Sequence, residues 1–160
     1  MRLIYYCKNL SLIVKGSEYV QFNASNFSLS YEVCISENIK IINSKFFYCD
    51  DKAIQLTRGS NIIIKGNEFY GCAKAVRIKE KAKNIRIEGN KILDSKCAIK
   101  ITGGEGFAKS NIIKGSDIAF WAEKNGKLED EGGNIFIDVI ERYKETEGGK
   151  ITNRIEKLTN

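Results

Sequence analysis

The residues of this chain whose types could do chemistry are few. They are five cysteines, the adjacent carboxylates Asp50 and Asp51, the neighbouring cations Arg77 and Lys79, and a single tryptophan, Trp121. The 160 residues contain no histidine. That removes the usual general base, the commonest metal ligand and every Ser-His or Cys-His nucleophile pair. The cysteines, Cys7, Cys34, Cys49, Cys72 and Cys97, are odd in number and lack CxxC spacing. They suggest neither a disulfide framework nor a zinc site, and read as buried reduced thiols. No Walker motif or dinucleotide fingerprint is present, so neither a cofactor nor a metal is expected.

The elements that must position these residues announce themselves as a repeat. Asn38-Ile39-Lys40-Ile41, Asn61-Ile62-Ile63-Ile64 and Asn84-Ile85-Arg86-Ile87 recur at a spacing of 23. Each is followed at matching offsets by a small or polar residue and an apolar one: Ser44 and Phe46, Asn67 and Phe69, Asn90 and Ile92. A second alternating run closes each unit: Ala53-Ile54-Gln55-Leu56, Ala75-Val76-Arg77-Ile78 and Ala98-Ile99-Lys100-Ile101. A fourth copy, running to Ala119-Phe120-Trp121-Ala122, follows at a spacing of 21. Such self-similarity means a solenoid, because one repeat cannot bury its own apolar face. Short β-branched runs with period-two alternation, bounded by Gly, Asn and Ser, specify strands and not helices.

The expected fold is therefore all-β, a parallel β-helix of imperfect 21–23-residue coils over residues 1–126. Ile39/Ile62/Ile85, Ile41/Ile64/Ile87 and Ile54/Val76/Ile99/Phe120 should form inward ladders about 4.8 Å apart per coil. Asn38/Asn61/Asn84 and Asn67/Asn90/Asn111 should form structural asparagine ladders at turns. Cys49 and Cys72 fall in one column. The coils before Asn38 resist assignment. Residues 127–160 break the pattern and are expected to cap the open end or to join a neighbouring subunit.

The pattern NIxIxGNxI, a small residue and then AIxI, spanning about residues 38–126, resembles the right-handed parallel β-helix repeats of the pectin-lyase-like superfamily. The resemblance implies polysaccharide as the default ligand class, although fold alone does not fix chemistry. Asp50-Asp51 and Arg77-Ile78-Lys79 look like pieces of the polygalacturonase signature, in which paired aspartates do acid–base work and the Arg/Lys pair holds the uronate. The third aspartate segment and the histidine-containing segment of that signature are missing. Lyase chemistry in relatives can use an Arg base with calcium, but no dense Asp/Glu cluster supplies the oxygen ligands. Gly103-Gly104-Glu105-Gly106 opens like a calcium-binding β-roll repeat and then has Ala108 where that motif requires Asp.

If Ile54 and Leu56 point inward, the residue between them points out. The equivalent outward column reads Gln21, Gln55, Arg77, Lys100, Trp121, with Asn23, Thr57, Lys79, Thr102 and Glu123 just beyond. Amides, cations and an indole along one face suit a sugar chain carrying carboxylates or sulfates. They also suit an ordinary solvated face. Residues 127–160 hold six Lys/Arg and eight Asp/Glu, so the net charge of +6 becomes +8 for residues 1–126, which favours polyanions. No recognised nucleic-acid motif appears, and the Lys/Glu abundance also fits a thermophile. The N-terminal apolar run is too short for a signal-peptide core, which points to the cytoplasm or a virion instead of secretion.

The leading expectation is a non-catalytic β-helix binding an acidic polysaccharide through the Gln21/Gln55/Arg77/Lys100/Trp121 face, without membrane insertion. One alternative is a structural or assembly protein, homo-oligomeric through residues 127–160. The other is a small polysaccharide hydrolase or lyase centred on Asp50, Asp51, Arg77 and Lys79.

Overall fold

The computed structural model describes residues 37–153 in full and, before them, the backbone of the strands at 11–15, 20–23, 26–27 and 30–34. Three parallel sheets of seven, seven and six strands wrap around one core. The first stacks Ser11–Lys15, Ser30–Cys34, Ile54–Thr57, Lys74–Lys79, Cys97–Thr102, Ile118–Glu123 and Glu141–Glu145. The second runs from Val20–Asn23 through Ile39–Ile42 to Lys150–Asn153, and the third from Asn26–Phe27 through Lys45–Phe47 to Ile135–Ile137. Each turn of the chain adds one strand to every sheet. This is a parallel β-helix, with register set by which face of each strand is apolar.

The inward ladders are those the repeat implies. Ile54, Val76, Ile99 and Phe120 lie in register in the first sheet, and Ile62 and Ile85 in the second, all completely buried. Phe46 and Phe69 stack face to face in the third, with ring centroids 4.8 Å apart. Asn38, Asn61 and Asn84 occupy left-handed backbone at φ 54–57°, the corner conformation that asparagine tolerates, and Asn84 donates to Asn61 Oδ1 at 2.7 Å. Asn67, Asn90 and Asn111 form a second, wholly buried ladder inside the next corner.

Coil length varies where the sequence pattern blurs. The first coil advances 19 residues per turn: Ser11 pairs with Ser30, Val20 with Ile39 and Asn26 with Lys45. Later coils advance 21 to 23, as in Lys91 with Ile112 and Lys45 with Glu68. In the short coil Gly106 replaces the isoleucine of its ladder, in register with Ile85. A Cβ built there would lie 2.8 Å from Ile78 Cδ1 and 3.2 Å from Ile101 Cδ1, so these two side chains fill the space.

The end expected at residue 126 is not an end of the helix. Lys127–Asp130, Ile135–Ile137, Glu141–Glu145 and Lys150–Asn153 extend all three sheets by further strands. The regular aliphatic pattern fades there because the core changes composition. Asp130 takes the position held by Ile87 and Ala108 on preceding coils. It is buried and accepts hydrogen bonds from Gly132 N at 2.9 Å, Asn134 Nδ2 at 2.7 Å and Tyr143 Oη at 2.7 Å. These donors satisfy a polar group that would otherwise be costly to bury.

Candidate functional site

The outward column of the first sheet exists, with one member changed and one added. Gln55, Arg77, Lys100 and Trp121 lie in register, and Lys144 continues the row. Gln21 does not belong to it. That residue lies in the second sheet opposite Lys40, and Glu32 occupies the register position beside Gln55. Asn23 likewise pairs with Ile42 in the second sheet. The 19-residue first coil moves every N-terminal assignment that assumes a longer period.

This outward face is more closely packed than an alternating strand requires. Lys100 retains only 7% of its surface and Glu123 only 8%. Their ion pair closes at 3.0 Å, and Glu123 Oε1 accepts a second hydrogen bond from Thr102 Oγ1 at 3.0 Å. Burial pushes the Glu123 carboxyl upward, but the hydrogen bonds from Lys100 and Thr102 outweigh it and hold the group below its ordinary value. Lys100 Nζ also sits 3.4 Å from the centre of the Trp121 ring, and Lys144 Nζ, from the coil on the other side, sits 5.1 Å away. The indole N–H donates to Thr146 Oγ1 at 2.9 Å. Trp121 is therefore a platform that orders two ammonium groups by cation–π attraction, not an open ring awaiting a sugar.

Two polar atoms of this face are buried without a hydrogen-bond partner, Thr57 Oγ1 and Arg77 Nε. Lys79 lies beside Thr57 in register and makes a loose 3.9 Å contact with Glu80. The outward residues of the four central and C-terminal strands thus present Arg77, Lys79, Lys100 and Lys144 against the single carboxylate Glu123.

The expected acid–base group is not assembled. Asp51 is held by Lys52 at 2.9 Å and Lys74 at 2.9 Å, and these two lysines pull its carboxyl down to about 2. An acid so strongly ionised cannot donate a proton near neutrality. Asp50 is exposed and lines a different recess, with Cys49, Cys72 and Asp94. Arg77 and Lys79 project from the first sheet, one coil further on. Among the described residues, no group of three or more His, Cys, Asp or Glu could hold a metal ion. No helix among them is long and apolar enough to cross a membrane.

A family model described as a right-handed beta helix region matches residues 3–136. The chain belongs to that family. Nothing among the curated proteins matches it. Membership of the right-handed β-helix family accounts for the stacked coils and the inward ladders, and it leaves the choice of ligand to the outward residues.

Sequence reasoning missed two features of this β-helix. Lys144 stands 23 residues after Trp121, the ordinary coil spacing, but in a segment whose repeat is obscured. On the second sheet Phe107 follows Arg86 in register, with the guanidinium 5.3 Å from its ring centre. Beside it a shallow groove is lined by Glu105, Phe107, Lys127, Glu129 and Lys150. Unlike the first sheet, this surface largely neutralises itself: Lys127 pairs with Glu105 at 3.1 Å and Arg86 with Glu131 at 3.2 Å.

Proposed function

We propose that this β-helix is a non-catalytic binding module for an acidic polysaccharide, which lies along the outer face of the first sheet. The observation that carries the reading is the local charge imbalance: Arg77, Lys79, Lys100 and Lys144 against Glu123 on one continuous row of strands. Carboxylates or sulfates spaced along a glycan meet a cation on successive coils, and Arg77 offers a planar donor fork to such groups. The buried Thr57 Oγ1 and Arg77 Nε supply polar atoms that an oxygen-rich ligand can satisfy. Trp121 contributes by holding Lys100 and Lys144 in place.

The test is titration of the purified chain with acidic and neutral glycans at low and physiological salt. Saturable binding that survives physiological salt, and falls about tenfold in an Arg77→Ala/Lys79→Ala variant, supports the reading; each lost charge-assisted contact is worth roughly 1.5–3 kcal/mol. Equal weak binding to every polyanion, abolished by salt, removes it.

A second reading is favoured by a different surface. Ile112, Ile135, Ile137 and Ile140 are exposed on and beside the third sheet at its C-terminal end, Ile140 by 83%. Clustered exposed isoleucines on a charged chain suit self-association, so the module can serve as an assembly unit. Sedimentation of the intact chain and of an Ile135→Lys/Ile137→Lys variant decides it. A monomer in both cases ends this reading.

A further inference from the structure

The column formed by Cys49 and Cys72 has no part in glycan binding, and its neighbours give it a chemistry of its own. The two residues occupy equivalent positions on adjacent coils, just past Phe47 and Tyr70, which lie in register. Adjacent coils stack about 4.8 Å apart, inside the Cα separation that a disulfide spans. On the next two coils the same corner holds Ser95 and Ser116, so the sulfur pair is confined to one step of the stack.

The thiols are close enough to share a hydrogen bond, which raises Cys49 and lowers Cys72, making Cys72 the more acidic sulfur. Both are thiols in this structure. Both also touch solvent space, at 3% and 1% of their surfaces, as part of a recess of about 220 Å³. Gly71 and Ala73 leave that recess open between Asp50 on one side and Asp94 and Lys96 on the other. Cys97, by contrast, is buried beneath the first sheet, where desolvation pushes its thiol up to about 12.

We propose that Cys49 and Cys72 are an oxidisable dithiol whose substrate class is a small hydroperoxide. The Cys72 thiolate attacks the terminal peroxide oxygen; the O–O bond breaks, leaving Cys72 as a sulfenic acid and releasing water or an alcohol. The Cys49 thiol then attacks the sulfenic sulfur, forming the S–S bond and expelling a second water. With hydrogen peroxide the balance is two thiols and one peroxide giving one disulfide and two waters. The product ties two neighbouring coils together covalently.

The test exposes the folded full-length chain to hydrogen peroxide and maps thiols and disulfides by mass spectrometry without reduction. The expected result is a peptide pair linked through Cys49 and Cys72, lighter by two hydrogens, forming about tenfold or more faster than any oxidation of Cys97. In Cys49→Ser the reaction should stop at a Cys72 sulfenic acid that dimedone captures, and circular dichroism checks that this variant is folded. Alkylatable Cys49 and Cys72 after peroxide treatment would overturn the proposal. So would oxidation no faster than that of Cys97, or pairing with Cys7 or Cys34.

Discussion

Asn67 aims two donors at a single oxygen, Oδ1 of Asn90: its backbone N–H at 2.9 Å and its side-chain amide at 3.0 Å. The second amide hydrogen of Asn67 goes to the carbonyl of Ile41 at 2.9 Å. Asn90 treats Asn111 in the same way, and Asn111 treats Asn134. Each asparagine therefore accepts from the coil before it and donates to the coil after it. All of this happens where water does not reach, so each link counts for more than a surface hydrogen bond.

Asn90→Ala leaves both Asn67 donors without their acceptor. An unmet buried donor costs about 1–3 kcal/mol, so the expected loss is about 2–5 kcal/mol, read as a lower urea midpoint at unchanged slope. A loss under about 0.5 kcal/mol would mean that water or a neighbour replaces the amide.

Lys100 and Glu123 form the most deeply buried ion pair among the described residues. Lys100→Met strands the Glu123 carboxylate and should cost about 3–5 kcal/mol. The double variant Lys100→Met/Glu123→Leu should recover most of that loss, because the greater part of the single-variant cost is an uncompensated charge. If the double variant is as unstable as the single, the cost comes from disturbed packing against Trp121.

Acid should weaken the fold through Glu123 and Asp51. Both carboxyls are held below their ordinary values in the folded chain, Asp51 at about 2. An unfolded chain therefore takes up protons first, and stability present above the ordinary carboxyl range is lost as pH falls through it toward the folded values. In urea titrations from pH 6 to pH 2, Glu123→Gln should flatten this decline. Asp51→Asn should change it by less than about 1 kcal/mol, since its ion pairs are exposed. A steeper decline in Glu123→Gln would reverse the sign of the argument.

Gly106→Val adds a side chain where Ile78 and Ile101 already fill the ladder. Overpacking of this kind costs about 1–3 kcal/mol, and pairing it with Ile78→Ala should return part of the loss. Thermal melts of the single and double variants measure it. Additive losses would show that the space at Gly106 is not shared with Ile78.

The fold was legible because inward positions repeat in type as well as in spacing. Ile39, Ile62 and Ile85 advertise one ladder, and Asn67, Asn90 and Asn111 another. The outward face was legible only from Gln55 to Trp121, where the coil length stays near 22. Val20-Gln21-Phe22 alternates as any strand of the three sheets does, so its sheet depends on the length of the intervening loops, and the first coil is 19 residues long. The tight packing of Lys100 could not be read at all. A lysine between two isoleucines looks solvated, and only the stacking of Trp121 and Glu123 on the next coil closes over it. Asp130 hid the last strands for the opposite reason: a carboxylate in an aliphatic column reads as a loop until its three donors are seen.

The in-register pairing of Glu68 with Lys91 gives the chain something like a reading frame. Excising Glu68 through Asn90 joins Asn67 directly to Lys91 and passes from one coil to the next without displacing any column. Removing one residue fewer puts every later side chain out of phase, isoleucines facing water and lysines facing the core. Length in this molecule is therefore counted in whole turns, and evolution can lengthen or shorten it by one turn at a stroke where it could not by a single residue within a strand.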